Sequence, residues 1–381
     1  MGGKLVIRGR ETLPVVQGGM GVGVSAHRLA GAVARAGGVG TISSVDLRRH
    51  HPDLMRTTGR SRNRAAIEQA NALALDREIR MAKETAAGRG LVAVNVMRAV
   101  SQYADYVRQS CESGADAIVV GAGLALDLPE LTASFPDVAL IPIVSEARAL
   151  SLIMKKWRRK GRMPDAVVIE HPRYAGGHLG AARLEDVDHR RFDFATVVPA
   201  AIAAMEEAGA DPRDIPLIVA GGVNSPQKVR DMLALGASAV QVGTPFAVTE
   251  EGDAHPAYKR VLAEAGPADI VTFMSVAGLP ARAVRTPWLI RYLAHEGELR
   301  SRAKPRRQCT QAFDCLAQCG LRDGNARAGQ FCIDHNLAAA LRGDVEHGLF
   351  FRGSEPVPFG AQIRPVRDLV EHLLGPAAPA S

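Results

Sequence analysis

Aromatic side chains are scarce, at 4% of 381 residues, so the core must be packed from Ala, Val, Leu and Ile. Such a composition suits parallel strands that are buried on both faces. Long apolar runs are missing too. The longest uncharged stretch, Met232 to Thr249, is broken by Gly236, Gly243 and Pro245 and carries Ser238, Gln241 and Thr244. A membrane-spanning helix needs about 20 consecutive apolar residues, so none is expected. The start of the chain has no apolar targeting core, and Met1-Gly2-Gly3-Lys4-Leu5-Val6 lacks the Ser or Thr of a myristoylation site. Cysteine is sparse, with five residues of which four are bunched late, unlike a secreted disulfide scaffold. Together these absences predict a cytoplasmic protein with no membrane partner.

What is present is ordinary for a globular protein: 47% apolar and 23% charged residues. The formal charge of +7 helps to attract anions such as phosphorylated cofactors. No nucleic-acid reading module accompanies it, so no nucleic-acid partner is expected. The basic run from Lys155 to Lys160 reads as a solvated helix end. The length fits one α/β barrel, commonly of about 250 residues, with an extra piece. Nothing in the pattern argues against a homo-oligomer.

Short Val/Ile/Leu runs recur along the chain, each ending in small or polar residues and followed by a helical pattern. They are Pro14–Gln17, Val39–Ser43, Leu91–Val96, Ala117–Gly121, Leu140–Val144, Ala166–Glu170, Leu217–Ala220 and Ala239–Val242. Strands alternating with helices imply a parallel sheet, and eight such units close into a (β/α)₈ barrel. Ser225-Pro226 reads as a helix start and Gly236 as its stop, with Val229, Met232 and Leu233 on one face. Ser145 is placed to cap a helix bearing Ala147, Leu150, Ile153 and Trp157, and Ser25 to cap the first helix. The segment from Arg62 to Ala87 is predicted helical. After about Pro287 the alternation stops, which predicts a barrel over 1–290 and a C-terminal extension over 291–381.

Three loops carry chemistry. Gln17-Gly18-Gly19-Met20-Gly21-Val22-Gly23 is a glycine-rich turn that lets backbone approach a flat ring or a phosphate. Gly21-x-Gly23-x-x-Ala26 with Asp46 also satisfies a relaxed dinucleotide-binding fingerprint, but the eight-strand count favours the barrel. Ala220-Gly221-Gly222 and Gln241-Val242-Gly243-Thr244 end the seventh and eighth strands, where barrels commonly bind a phosphate through backbone N–H groups. At strand six, Glu170-His171-Pro172-Arg173-Tyr174-Ala175-Gly176-Gly177-His178-Leu179-Gly180 is the densest polar and glycine cluster. His178 there is the leading general acid or base. Asn95, ending strand three, is a candidate polar contact to the cofactor.

Gln17-Gly18-Gly19-Met20, Val94-Asn95-Val96-Met97, Ala175-Gly176-Gly177-His178-x-Gly180, Ala220-Gly221-Gly222 and Gln241-x-Gly243-Thr244 occur in one order. Over about residues 10–290 the chain thereby resembles nitronate monooxygenases, in a superfamily with FMN-containing enoyl-acyl-carrier-protein reductases and NAD(P)H:quinone reductases. The resemblance implies FMN, held by residues 17–20, Asn95, Gly176, Gly177, Gly221, Gly222, Gln241, Gly243 and Thr244, with His178 catalytic. Tyr174 stands where that family usually has an acidic residue, and His171 where a flavin-contacting glutamine often lies. The implied activity is oxidation of alkyl nitronates by O₂ to carbonyl products. An NAD(P)H-dependent reductase of a quinone or enoyl thioester is the alternative on the same barrel. A flavin-bearing scaffold that recruits a partner through its cysteines is the alternative of another class.

Cys309-x₅-Cys315-x₃-Cys319-x₁₂-Cys332 is the remaining cluster. Four thiolates at short spacing suit Zn²⁺ or an iron–sulfur cluster, although the spacing matches neither zinc ribbons nor ferredoxins. Reduced or redox-active thiols are the other reading. Cys111 is expected in the core.

Overall fold

The computed structural model describes residues 3–375. Met1 and Gly2 and the end of the 291–381 extension lie outside the described residues.

Eight parallel strands close into a barrel in chain order: Val15–Gln17, Val39–Ser43, Leu91–Met97, Ala117–Gly121, Ala139–Val144, Val167–Glu170, Leu217–Ala220 and Ala239–Val242. The ring is sealed where Val240 pairs with Val15 and Val242 with Gln17. All eight expected strands are present, with ends shifted by a residue at most. Inside the ring, Val16, Ala93, Ala117, Val119, Ile141, Val168 and Ile218 interlock as one apolar column. Residues this small explain why so few aromatics suffice. Each fully buried Val, Leu or Ile contributes about 1.5–3 kcal/mol.

A hairpin absent from the sequence expectations, Leu5–Ile7 with Arg10–Thr12, plugs the bottom of this column. Arg8 and Gly9 both take positive φ, as a two-residue hairpin turn of this type demands. Arg8 then reaches Asp165 at 3.0 Å and Arg10 bonds Gly90 O at 2.9 Å, which clamps the plug to the barrel floor.

The helices surround the ring. Pro226–Ala234 starts and stops as expected, with Ser225 Oγ accepting from Lys228 N–H at 3.3 Å. The long helix is Arg64–Ala86, capped by Asn63. Two expected caps serve elsewhere. Ser25 Oγ accepts from Met20 N–H, and the first helix, His27–Arg35, is capped by the Asp253 carboxylate, which takes N–H bonds from Ala26, Arg28 and Leu29. Glu146, not Ser145, precedes the helix Ala147–Arg158. Ser145 Oγ instead fills the space that a side chain at Gly180 would need. Asp46 is no ribose ligand. It is fully buried and bonds Arg48 Nε at 2.8 Å.

The chain after strand eight makes a long excursion before its barrel helix. Residues 270–284 form an antiparallel pair, Ile270–Met274 with Pro280–Val284, and the latter strand also pairs with Gly177–His178. Residues 308–357 then pass over the barrel mouth. Finally Val366–Leu374 packs between the helices that follow strands seven and one. Its Val366, Leu369, Val370 and Leu373 are buried in the main barrel core, where the eighth helix belongs. Among the described residues no helix is long and apolar enough to cross a membrane.

Candidate active site

One cavity of about 280 Å³ opens at the C-terminal ends of the barrel strands. Catalytic sites of such barrels lie at this end, because the loops there vary without disturbing the ring. Gly18, Gly19 and Met20 line it from strand one and Asn95 from strand three. Gly176, Gly177 and His178 enter from the strand-six loop, and Gly221, Gly222, Gln241, Gly243 and Thr244 from strands seven and eight. Five sequence-distant motifs thus face one space.

Gln17 and His171, both expected to touch the cofactor, do not line it. Gln17 is completely buried, and its Oε1 accepts from Thr41 N–H at 2.8 Å, which ties strand one to strand two. His171 sits beneath the loop, with Nε2 3.3 Å from Asp193 Oδ1, Nδ1 accepting from Arg173 N–H, and its ring against Tyr174 and Phe194. Both are framework residues that shape the loops.

The glycines differ in what they make room for. Gly222 has φ +76°, and a Cβ there would lie 2.9 Å from the Tyr174 ring. Glycine is required by the turn and by tyrosine together. At Gly243 a Cβ would meet only Met20 Sδ, at 3.9 Å, so the space beside it is open. Among the described residues the N–H groups of Gly222, Gly243 and Thr244 meet no protein acceptor. Donors left free around an open slot make a cradle for an anion. Thr244 Oγ1 accepts from Gly353 N–H at 3.0 Å, and its own proton remains available to a ligand.

His178 is half-buried, and its Nε2 lies 3.0 Å from Ser275 Oγ. Ser275 is fully buried and its Oγ also accepts from Ala277 N–H at 3.2 Å. The serine proton has no other acceptor among the described residues, so Ser275 donates to His178 Nε2, which leaves the hydrogen of the neutral ring on Nδ1. Burial pushes the imidazole down to about 4, so it is uncharged at neutral pH. The ring is therefore a neutral donor more than a base.

Glu170 opens the strand-six cluster, but sequence assigned it no role because it ends an apolar strand ahead of the glycine motif. Its side chain lines the same cavity, no cation pairs with it among the described residues, and burial pushes its carboxyl up to about 7. A carboxyl poised near neutrality inside a pocket is equipped to exchange protons.

The C-terminal excursion supplies the cover. Cys315, Leu316, Ile333, Asp334, Leu337 and Phe351 line the cavity. Arg352 and Gly353 lie so close over Gly176 that a Cβ there would come within 2.6 Å of them. Arg282, buried beneath, donates to Pro172 O at 3.0 Å and to Ala175 O, fixing the strand-six loop. Arg49, from the loop after strand two, holds Asp334 at 2.6 Å. Of the four cysteines expected to share a metal, only Cys315 reaches the cavity. Among the described residues no three His, Cys, Asp or Glu side chains converge as ligands of a single ion. Cys111 is buried in the core, as expected.

Barrels with this arrangement at the mouth are enzymes, and the class here is the (β/α)₈-barrel oxidoreductases. The chain belongs to the nitronate monooxygenase family, whose model matches residues 10–375 and so extends well past residue 290. A probable nitronate monooxygenase of Bacillus subtilis is 28% identical over 291 residues, covering 73% of this chain and 78% of that protein. Among solved structures, FabK from Thermotoga maritima superposes with a TM-score of 0.63 at 23% identity, covering 95% of this chain and 91% of that one. A nitroalkane oxidase from Streptomyces ansochromogenes gives 0.62 at 21% identity, with 95% and 94% covered.

Proposed function

We propose that the protein binds FMN and oxidises alkyl nitronates with O₂ to carbonyl products. The observation that carries this reading is the convergence of the glycine loops and a neutral His178 on one apolar cavity. The residues fit the cofactor, because three free N–H groups and the Thr244 hydroxyl surround a slot in which a Cβ at Gly243 would be unopposed by protein. FMN, when bound, supplies the electron-accepting ring that this chain's own side chains lack.

The chain's residues then divide the remaining work. Gly222, Gly243 and Thr244 hold the phosphate, while Asn95 and Gln241 offer amides to the polar edge of the ring. His178 Nδ1–H hydrogen-bonds the anionic nitronate and orients it. A substrate supplied as the neutral nitroalkane must first lose a proton, and Glu170 accepts it. The role of base, expected of His178 from sequence, passes to the carboxyl, because a ring pushed down to about 4 is a poor acceptor at neutral pH. The cover from the excursion excludes water from the reacting atoms.

Anaerobic rapid mixing tests this. Bleaching of the flavin by a nitronate, followed by recovery on admitting O₂, is expected. Bleaching by NAD(P)H with no response to nitronate would move the protein to the reductase side, and response to neither would leave a flavin-bearing scaffold.

A further inference from the structure

One segment of the cover is tied down far more firmly than shielding the cavity requires. After Phe351 bridges to Ala283, the chain from Arg352 to Pro356 crosses the phosphate end of the cavity as a strap without regular secondary structure. Arg352 is buried and pegs one side, its Nε donating to Leu262 O and its Nη1 to Gly353 O, each at 2.8 Å. Gly353 N–H donates to Thr244 Oγ1 at 3.0 Å, and Ser354 N–H to Tyr174 O at 3.2 Å. On the other side Asn224 Nδ2 donates to Pro356 O at 2.8 Å. Lys228 Nζ there bonds both Glu355 Oε2, at 2.6 Å, and Gly222 O, at 2.9 Å.

The strap thereby joins the loops after strands six, seven and eight, the last two of which form the anion cradle. Glycine is required where it crosses. A Cβ at Gly353 would lie 2.7 Å from Tyr174 O, and one at Gly176 would lie 2.5 Å from the Arg352 carbonyl carbon. Backbones packed this closely leave no passage between them for a ligand group. Gly353, Glu355 and Pro356 line the cavity together with Gly222 and Thr244, so the strap is a wall of the same space. Glu355 is half-buried in that wall.

We propose that this strap makes the site selective for a flavin mononucleotide over a flavin dinucleotide, with Glu355 as the residue that rejects the longer cofactor. The inference rests on the assignment of the flavin phosphate to the cradle at Gly222, Gly243 and Thr244. FMN and FAD share the ring and the first phosphate, so ring pocket and cradle cannot tell them apart. FAD continues into a second phosphate and an adenosine, which must leave the cradle through the wall that the strap closes. A carboxylate stands in that wall. Like charges in a half-buried setting repel with only partial screening by water, and opposing charge is a common way to refuse a competitor. Lys228 does not reverse the effect, because its ammonium is already shared between Glu355 and Gly222 O. A mononucleotide ends at the cradle and gains from the strap. Gly353 N–H occupies one lone pair of Thr244 Oγ1, which leaves the threonine proton for the ligand.

The test is calorimetric binding of FMN, FAD and riboflavin to full-length chain stripped of flavin, with no turnover involved. Wild type should bind FMN about 100-fold more tightly than FAD, the scale of discrimination that like-charge contacts supply. That ratio should fall about tenfold in Glu355→Gln and further in Glu355→Lys, where the gain for FAD should fade in high salt. A strap acting only as a mechanical latch would lose both flavins alike in the two variants, which would overturn the role of Glu355. Equal affinity of wild type for FMN and FAD, a comparison that needs no variant to fold, overturns the proposal and leaves the flavin reading standing. Riboflavin bound as tightly as FMN, or no binding of any of the three, would remove the phosphate assignment and the proposal with it.

Discussion

His178 Nε2 and Ser275 Oγ are 3.0 Å apart, although the two residues are 97 positions apart in sequence. The serine proton occupies the lone pair that a basic histidine would need, and so decides which face of the ring works. His178→Phe keeps the ring shape and removes the donor. A hydrogen bond to a charged group contributes about 1.5–3 kcal/mol, so kcat/KM on nitronate should fall about 10- to 100-fold. Ser275→Ala should cost about 10-fold or less, with flavin content unchanged in both. If His178→Phe is as active as the wild type, the ring has no part in binding the nitronate.

Glu170 gives the pH dependence. Its carboxyl is raised to about 7, so the proton-accepting form prevails only above that value. With a neutral nitroalkane, kcat/KM should rise with pH through about 7 and level off. Glu170→Gln should abolish that limb and lose about 10²-fold or more on nitroalkane, while nitronate turnover changes far less. A pH profile that is the same in the variant would exclude Glu170 as the base.

Gly243 lies in the anion cradle, where a Cβ would meet no protein atom but Met20 Sδ. Gly243→Val should fold, unfolding thermally as flavin-free wild type does, but purify without flavin. Retention of stoichiometric FMN would put the phosphate elsewhere.

Stability at low pH should depend on Glu78, whose side chain is fully buried and bonds His27 Nδ1 at 2.7 Å. Burial alone would raise this carboxyl, but the hydrogen bonds from His27 and the imidazole of His51 3.0 Å away outweigh it and hold it at about 2, below its ordinary 4.5. A depressed carboxyl stabilises the fold above about 4.5, and the benefit is lost as pH falls toward 2. Glu78→Ala should therefore cost about 3 kcal/mol in urea unfolding at pH 7, with the gap from wild type narrowing below pH 4. An equal gap at pH 7 and pH 3 would show that packing alone is responsible.

The barrel was legible because strands buried on both faces are written as short continuous apolar runs, and glycine at strand ends marks where backbone must turn or approach a ligand. Twelve positions or a hundred, the motif residues 18–20, 176–178, 221–222 and 243–244 needed only the barrel's order to be brought together. Phe351 and Arg352, which reach the cavity, and Ser275, which reaches His178, were not legible, since nothing local marks a residue brought to the site only after a long detour. His171 and Gln17 misled for the converse reason. A polar residue within a motif can serve the framework, as the Thr41 N–H bond to Gln17 shows. The helix Val366–Leu374 was visible as amphipathic, but periodicity does not say which surface it covers.

That helix has a consequence for how the molecule comes into being. Strand eight ends at Val242, and the helix that flanks it begins only at Val366. While the ribosome is still making the excursion, an apolar gutter between the neighbouring helices stands open to water, and the cover of the cavity emerges before the wall beneath it is shut. The nascent chain thus has a prolonged vulnerable interval, in which a chaperone or a transiently docked segment must shield the seam. Protein made slowly, or stalled within residues 250–365, should be the form that proteases and aggregation remove first.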